Sequence, residues 1–346
     1  MAGISKDGSG KLGRQWVWNR TLTDDIPSLP IVRGLFVTLR FYRVISHKFL
    51  ASVIVKKLPN LWDIRIEQWT WLDLKGLMAC LGQRNWPVWE SIRSLSLYHE
   101  PNRWRGHRNQ QDIHSSEHDS VLDNEFLPRF IKASRSLREL ALTGTITAAD
   151  FFMEAANCPR EYSADDHKPP YYFPNLTKLA LWEPELGGDG DENSSMTGTI
   201  LSLAAGVALQ MPKLRIMELW NAKKPYIFRY EVTPEQARII VLAPFRARPE
   251  IESEWELASH HHDHLKNKPL VIKYENLDVV GVNELATRGA DIFGHLRLAD
   301  EILDPRSQFQ LHCRNISRAR FRELNGDNDE AGETDYDDDE ADGEGE

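Results

Sequence analysis

Five stretches of the chain repeat one spacing, apolar-x-x-apolar-x-apolar: Leu61/Ile64/Ile66, Ile92/Leu95/Leu97, Leu137/Leu140/Leu142, Leu176/Leu179/Leu181 and Leu214/Met217/Leu219. Their first positions lie 31, 45, 39 and 38 residues apart. The last two apolar positions of each alternate across one residue, the period of a half-buried strand. Three stretches are entered by Pro-x-Leu, at Pro59, Pro174 and Pro212, where proline stops a helix and its missing N–H is tolerated before a strand begins. Helical periodicity fills the gaps. Residues 46–57 put Phe49, Val53 and Ile54 on one face, and 123–133 do the same with Phe126, Leu127, Phe130 and Ile131, provided that Pro128 falls in the first turn. Thr147 is placed to cap AADFFMEAA, and Thr197 to open a helix with Leu201, Ala205, Ala208 and Leu209 on one side.

A repeated strand-then-helix unit with an LxxLxL strand predicts an α/β fold: a leucine-rich-repeat-like solenoid with irregular long repeats, a curved parallel sheet and outer helices. One such unit cannot bury its own apolar face, so neighbouring strands stack and the helices close over them. The polar stretches 100–120, 157–170 and 185–197 read as loops. Past Tyr226 the pattern predicts a helix over 249–260, a strand over 270–274, a helix over 283–293 and a short strand over 295–298, continuing the same sheet. The expected division is a poorly ordered lead over 1–34, a repeat domain over 35–315 and a disordered acidic tail over 326–346.

Charge sharpens that division. The 346 residues carry 42 Lys and Arg against 52 Asp and Glu, a net of -10. Asp327–Glu346 hold twelve acidic and no basic side chains, so residues 1–326 have 42 basic against 40 acidic, a net of +2. With 41% hydrophobic residues the chain has material for a core, which excludes disorder for most of its length. No apolar run reaches the roughly 18 residues of a membrane span, and the opening MAGISKDGSGKLGR lacks a secretory h-region. A soluble intracellular protein, cytoplasmic or nuclear and without membrane contact, is expected. Cys80, Cys158 and Cys313 are too scattered for a disulfide framework or a CxxC pair.

The ordered strings FPNLTKLALWEPEL (173–186), MPKLRIMELWN (211–221), FRYE (228–231), the helix around Trp255 and LRLADEILDPRSQFQ (296–310) resemble an F-box-associated, leucine-rich-repeat-like family of filamentous fungi, over roughly residues 35–312. The resemblance implies a substrate receptor whose N-terminal F-box docks a ubiquitin-ligase adaptor. Residues 1–34 contain no LPxEI-type opening, so the expectation here is a receptor body without a recognisable F-box.

Candidate chemistry is sparse. In His260-His261-His262-Asp263-His264, His260 and His264 stand at i and i+4, the spacing of two zinc ligands on a helix and the basis for an alternative metal-dependent hydrolase. HExxH is absent, and the stretch reads as a solvated helix end. The loop from Asp189 fails as a calcium loop, with Ser194 in place of glycine and Ile200 in place of glutamate. GSGK at Gly8–Lys11 lacks the remaining phosphate-loop residues, and no GxSxG elbow occurs. No enzyme, metal or cofactor is therefore expected. Asp63, Glu67, Glu183 and Glu185 stand near strand ends without a pattern that pairs them. Arg103, Arg105, His107 and Arg108 surround Trp104, but no nucleic-acid fold signature accompanies them. The acidic tail suggests a second alternative, a binder of basic nuclear proteins. Aromatics at strand ends carry more information: Tyr98, Trp182 and Trp220 directly follow their repeats and Trp69 lies slightly past the first. Such positions line the rim of the open sheet face, where Trp and Tyr anchor protein partners or pack beneath the next loop. The reading is a non-catalytic protein-recognition module with those four as its partner-binding residues.

Overall fold

The computed structural model describes residues 27–38, 57–68, 91–99, 126–144, 146–157, 171–187, 191–221, 225–243, 251–262, 265, 268–276 and 292–313. Six parallel strands pair in chain order: β1 (Gly34–Val37), β2 (Asp63–Gln68), β3 (Ser94–His99), β4 (Glu139–Thr143), β5 (Lys178–Trp182) and β6 (Ile216–Asn221). The register shows why the spacing recurs. Leu35, Ile64, Leu95, Leu140, Leu179 and Met217 form one row across the strands, and Val37, Ile66, Leu97, Leu142, Leu181 and Leu219 form the next. Val32/Leu35/Val37 is thus a sixth unit, hidden in the sequence because Leu29, Ile31 and Phe36 surround it with further apolar residues.

Each unit enters its strand through the same backbone device. The N–H groups of Val32, Leu61, Leu137, Leu176 and Leu214 donate to carbonyls three residues back, closing turns in which Pro30, Pro59, Pro174 and Pro212 take the second position, where a fixed φ is an advantage. One carbonyl then receives two successive N–H groups of the next strand: Arg33 from Trp62 and Asp63, Trp62 from Arg93 and Ser94, Arg93 from Arg138 and Glu139, Arg138 from Thr177 and Lys178, Thr177 from Arg215 and Ile216.

Four helices cover the row of leucines: α1 (Phe126–Ser134), α2 (Ala148–Asn157), α3 (Asp191–Ala208) and α4 (Glu252–His260), each touching the next. Thr147 Oγ1 accepts the Asp150 N–H at 3.1 Å, the expected cap of α2. Pro128 lies in the first turn of α1, where its lost donor costs nothing. Phe151 stacks on Phe173 at 5.7 Å, and Trp255 of α4 sits 4.9 Å from Phe228 and 4.7 Å from Tyr230.

Several expectations need correction. The sheet is mostly parallel, not wholly so: β7 (Tyr226–Val232) runs antiparallel to β6 and to β8 (Ala237–Ala243), and β9 (Val271–Asn276) returns parallel to β8. Only four residues separate β6 from β7, too few for the dozen or so of a parallel crossover. The polar stretch read as a loop over 185–197 ends early, because α3 already begins at Asp191. Residues 295–298 form a turn, not a strand, and 292–313 lie across the sheet instead of extending it. The α/β architecture stands, with an open, mostly parallel sheet of nine strands among the described residues. Among the described residues, no helix is long and apolar enough to cross a membrane.

Candidate functional site: the sheet face opposite the helices

Alternation along each strand sends every second side chain away from the helices. On that second face Tyr98, Ala141, Ala180, Trp182, Trp220, Ile227, Ile240 and Leu242 form an apolar cluster separate from the helix-side core. Its cover is the chain's own 292–311 stretch: a 3₁₀ turn (Ile292–Gly294), α5 (Ala299–Ile302) and a helix over 305–313. Phe293 places its ring 6.3 Å from Tyr98 and 5.4 Å from Trp220. Ala141 and Ala180 leave room above β4 and β5, and α5 rests on β3 and β4.

Charged groups anchor this cover at its backbone. Glu218, fully buried between Ala180 and Arg229 in the register, accepts the Arg297 N–H at 3.0 Å on Oε1 and the Leu298 N–H at 2.7 Å on Oε2. Arg229 Nε donates to the same carboxylate at 2.6 Å, and its Nη2 donates to the His295 carbonyl. At the other end Glu67 accepts the Asp304 N–H at 2.6 Å and the Ser307 hydroxyl, where the 305–313 helix begins and a negative charge is favoured. Ser96 Oγ donates to the Ile302 carbonyl at 3.0 Å. Lys178 bridges Glu301 at 2.6 Å and Glu139 at 3.1 Å. Burial alone would lower its pKa, but those two carboxylates outweigh that and raise it. These contacts read backbone more than side chains: three N–H groups and two carbonyls of the covering stretch meet side chains of the sheet.

Glu183 lies one residue past Trp182 and is 1% exposed. Its carboxylate accepts the N–H groups of Ala149, in the first turn of α2, and of Glu185, at 2.8 and 3.1 Å. Burial still pushes its pKa up, because desolvation of the charge exceeds what the two donors return.

Of the aromatics expected to hold a partner, Tyr98, Trp182 and Trp220 are brought together on this face, with exposures of 4%, 8% and 1%. Trp69 lies outside the described residues. The indole Nε1 donors of Trp182 and Trp220 are buried with no hydrogen-bond acceptor among the described residues. Glu67 and Glu183, noted as strand-end carboxylates, each gain a defined task, whereas the sequence pattern alone did not single out Glu218 and Arg229. Their signal is a pair of opposite charges at alternating positions in MELWN and FRYE, two segments close enough in the chain to form a hairpin.

In the histidine stretch, His261 meets the Tyr171 ring edge-on at 5.3 Å and buried His262 lies 6.4 Å from Tyr230. Asp263 and His264 fall outside the described residues, among which no three metal-ligating side chains converge. The loop around Trp104 and the acidic tail also fall outside them.

Residues 86–304 match the family described as Family of unknown function (DUF6546), a span that opens just before β3 and closes at Asp304, where Glu67 holds the covering stretch. No curated protein and no solved structure matches the chain.

Proposed function

We propose that this chain, which belongs to the DUF6546 family of unknown function, is a non-catalytic protein-recognition module that holds partner segments against the strand-exit aromatics Tyr98, Trp182 and Trp220. The carrying observation is that this face already binds polypeptide, its own residues 292–311, through side chains aimed at backbone groups, while two buried indole N–H donors find no acceptor among the described residues. An unmade hydrogen bond of this kind costs about 1–3 kcal/mol, so a segment that brings carbonyl oxygens over Trp182 and Trp220 gains where the present cover does not. On this reading the sheet is a leucine-rich-repeat-like solenoid whose face opposite the helices is the recognition surface, reached when a partner segment displaces the 292–311 cover. We read the module further as the substrate-receptor part of a ubiquitin-ligase system, a reading supported by its resemblance to F-box-associated proteins.

The test is affinity purification of the tagged chain from its native cells, with Trp182→Phe/Trp220→Phe alongside; these replacements keep a ring and remove the donors. Proteins captured by the parent and reduced several-fold by the double variant, with its thermal melt still cooperative, support the reading. Equal capture by both removes the two tryptophans from recognition. Co-purification of a ubiquitin-ligase adaptor would decide the pathway, and its absence would leave a free-standing recognition module.

A further inference from the structure

The doubly bonded carbonyls at the strand entries fix more than the backbone. They align the residue before each strand into one row: Arg33, Trp62, Arg93, Arg138, Thr177 and Arg215. Neighbours in this row are separated by about 4.8 Å, the strand spacing, so the whole row spans roughly 24 Å. Four of its six members are arginines. Arg33, Arg138 and Arg215 are exposed, and none of the three makes an ion pair with a carboxylate among the described residues. Trp62 is 48% exposed between Arg33 and Arg93.

The turns leading into the row add to its charge. Stretches 29–34, 57–63, 91–94, 132–139, 174–178 and 211–216 together carry nine Lys and Arg against two carboxylates, Asp63 and Glu139. Glu139 is engaged by Lys178, and burial pushes the Asp63 pKa up, which weakens its hold on a negative charge. A net of +7 on this edge, within residues 1–326 that total +2, leaves the remainder at -5. The asymmetry is therefore a property of one edge and not of the whole surface.

We propose that the strand-entry edge is a docking surface for the chain's own acidic stretch, Asp327–Glu346. Three observations choose this occupant. The stretch carries twelve acidic and no basic residues. Thirteen residues lie between Cys313 and Asp327, and their roughly 45 Å extended reach covers the row from any point at which the 305–313 helix ends on the sheet. Arginine is suited to the occupant, since its guanidinium fork donates two parallel N–H groups to a carboxylate and stays charged at all relevant pH. The docked stretch neutralises the edge and excludes other acidic chains from it, so that a partner bound there has to compete with it.

The experiment uses the full chain. A carbodiimide couples carboxylates directly to lysine amines in contact, and the arginine row offers Lys57, Lys132 and Lys213 beside it, while Lys273 on β9, three strands beyond β6, serves as a control away from the row. Peptide mapping is expected to join residues 327–346 to Lys57, Lys132 or Lys213 and not to Lys273. A mixture of light and heavy isotope-labelled chains is expected to show links within one chain only. Both 0.5 M salt and the double variant Arg138→Glu/Arg215→Glu should reduce the links at least five-fold, because exposed charges are screened within a few ångströms. Arg138 serves the fold through its carbonyl, so the variant keeps the parent's melt. Links spread evenly over edge and control lysines, links only between chains, or edge links unchanged in the charge-reversed variant would each overturn the proposal.

Discussion

The two faces of the sheet are built on different terms. On the helix side, rows of leucine and isoleucine repeat from strand to strand and pack into an apolar core beneath α1 to α4. On the other side, apolar residues are interrupted by Glu67, Glu218, Arg229 and Glu231, all buried, and the cover is a single irregular stretch of chain. The first face gains from area removed from water and tolerates any segment of suitable shape. The second requires specific donors and acceptors to meet, because a buried charge without partners is costly. A repeated spacing specifies the first kind of surface well, whereas the second depends on the particular groups that meet there.

Removing one group from each face separates these terms. Glu218→Ala removes the carboxylate that stands 2.6 Å from buried Arg229, leaving Glu231 at 3.8 Å, and frees the N–H groups of Arg297 and Leu298. The expected loss is about 3–5 kcal/mol, the range for breaking one partner of a buried pair, read from urea unfolding. Leu179→Ala, at a fully buried position of the leucine row, is expected to cost about 2–5 kcal/mol through lost transfer energy and the residual cavity. Hydrogen exchange distinguishes how the losses are distributed. Glu218→Ala should speed exchange at Arg297 and Leu298 more than at the strands, and Leu179→Ala should speed all protected amides together. The reverse distribution would mean that the covering stretch is as integral to the core as the helices.

The same division separates what is legible in the amino-acid sequence from what is not. Leu61, Ile92, Leu137, Leu176 and Leu214 are legible because each is one instance of a spacing that packing enforces at every repeat, and all are buried to 1% or less. The strand-exit aromatics are legible as a group for the same reason. The covering stretch is not, since Leu296 and Leu298 alternate as a strand would and nothing local shows that the N–H groups around them bond to Glu218 instead of a neighbouring strand. Partners 79 and 80 positions away in the chain leave no periodic trace. Trp182 and Trp220 are visible as candidates from their positions, but their burial belongs to a cluster that the same irregular stretch completes, with Phe293 against Trp220.

A smaller effect tests the edge at which the two faces meet. Gly144 leaves β4 with φ of 77°, and a Cβ there would stand 2.2 Å from the His99 carbonyl oxygen. Gly144→Ala therefore combines a left-handed backbone with a clash against main chain, and about 1–3 kcal/mol of destabilisation is expected in a urea melt. A neutral result would show that the β3 and β4 exits can move apart.

The subtlest test is of sign, at Glu183 beside Trp182. Burial raises its pKa in the fold above the value near 4.5 of the unfolded chain. Between those two values the folded state holds more protons, so stability falls as pH rises through the window and the full penalty is present above it. Acidification from neutral pH towards the unfolded value near 4.5 should therefore stabilise the parent relative to Glu183→Gln, which cannot titrate. Asp63, also raised by burial, contributes with the same sign to both proteins and cancels in the difference. A difference that stays flat or shrinks on acidification would mean that the Ala149 and Glu185 amides outweigh the desolvation. The end of β5 would then be built to hold a charge, as Glu218 does on the covered face, instead of merely enduring one.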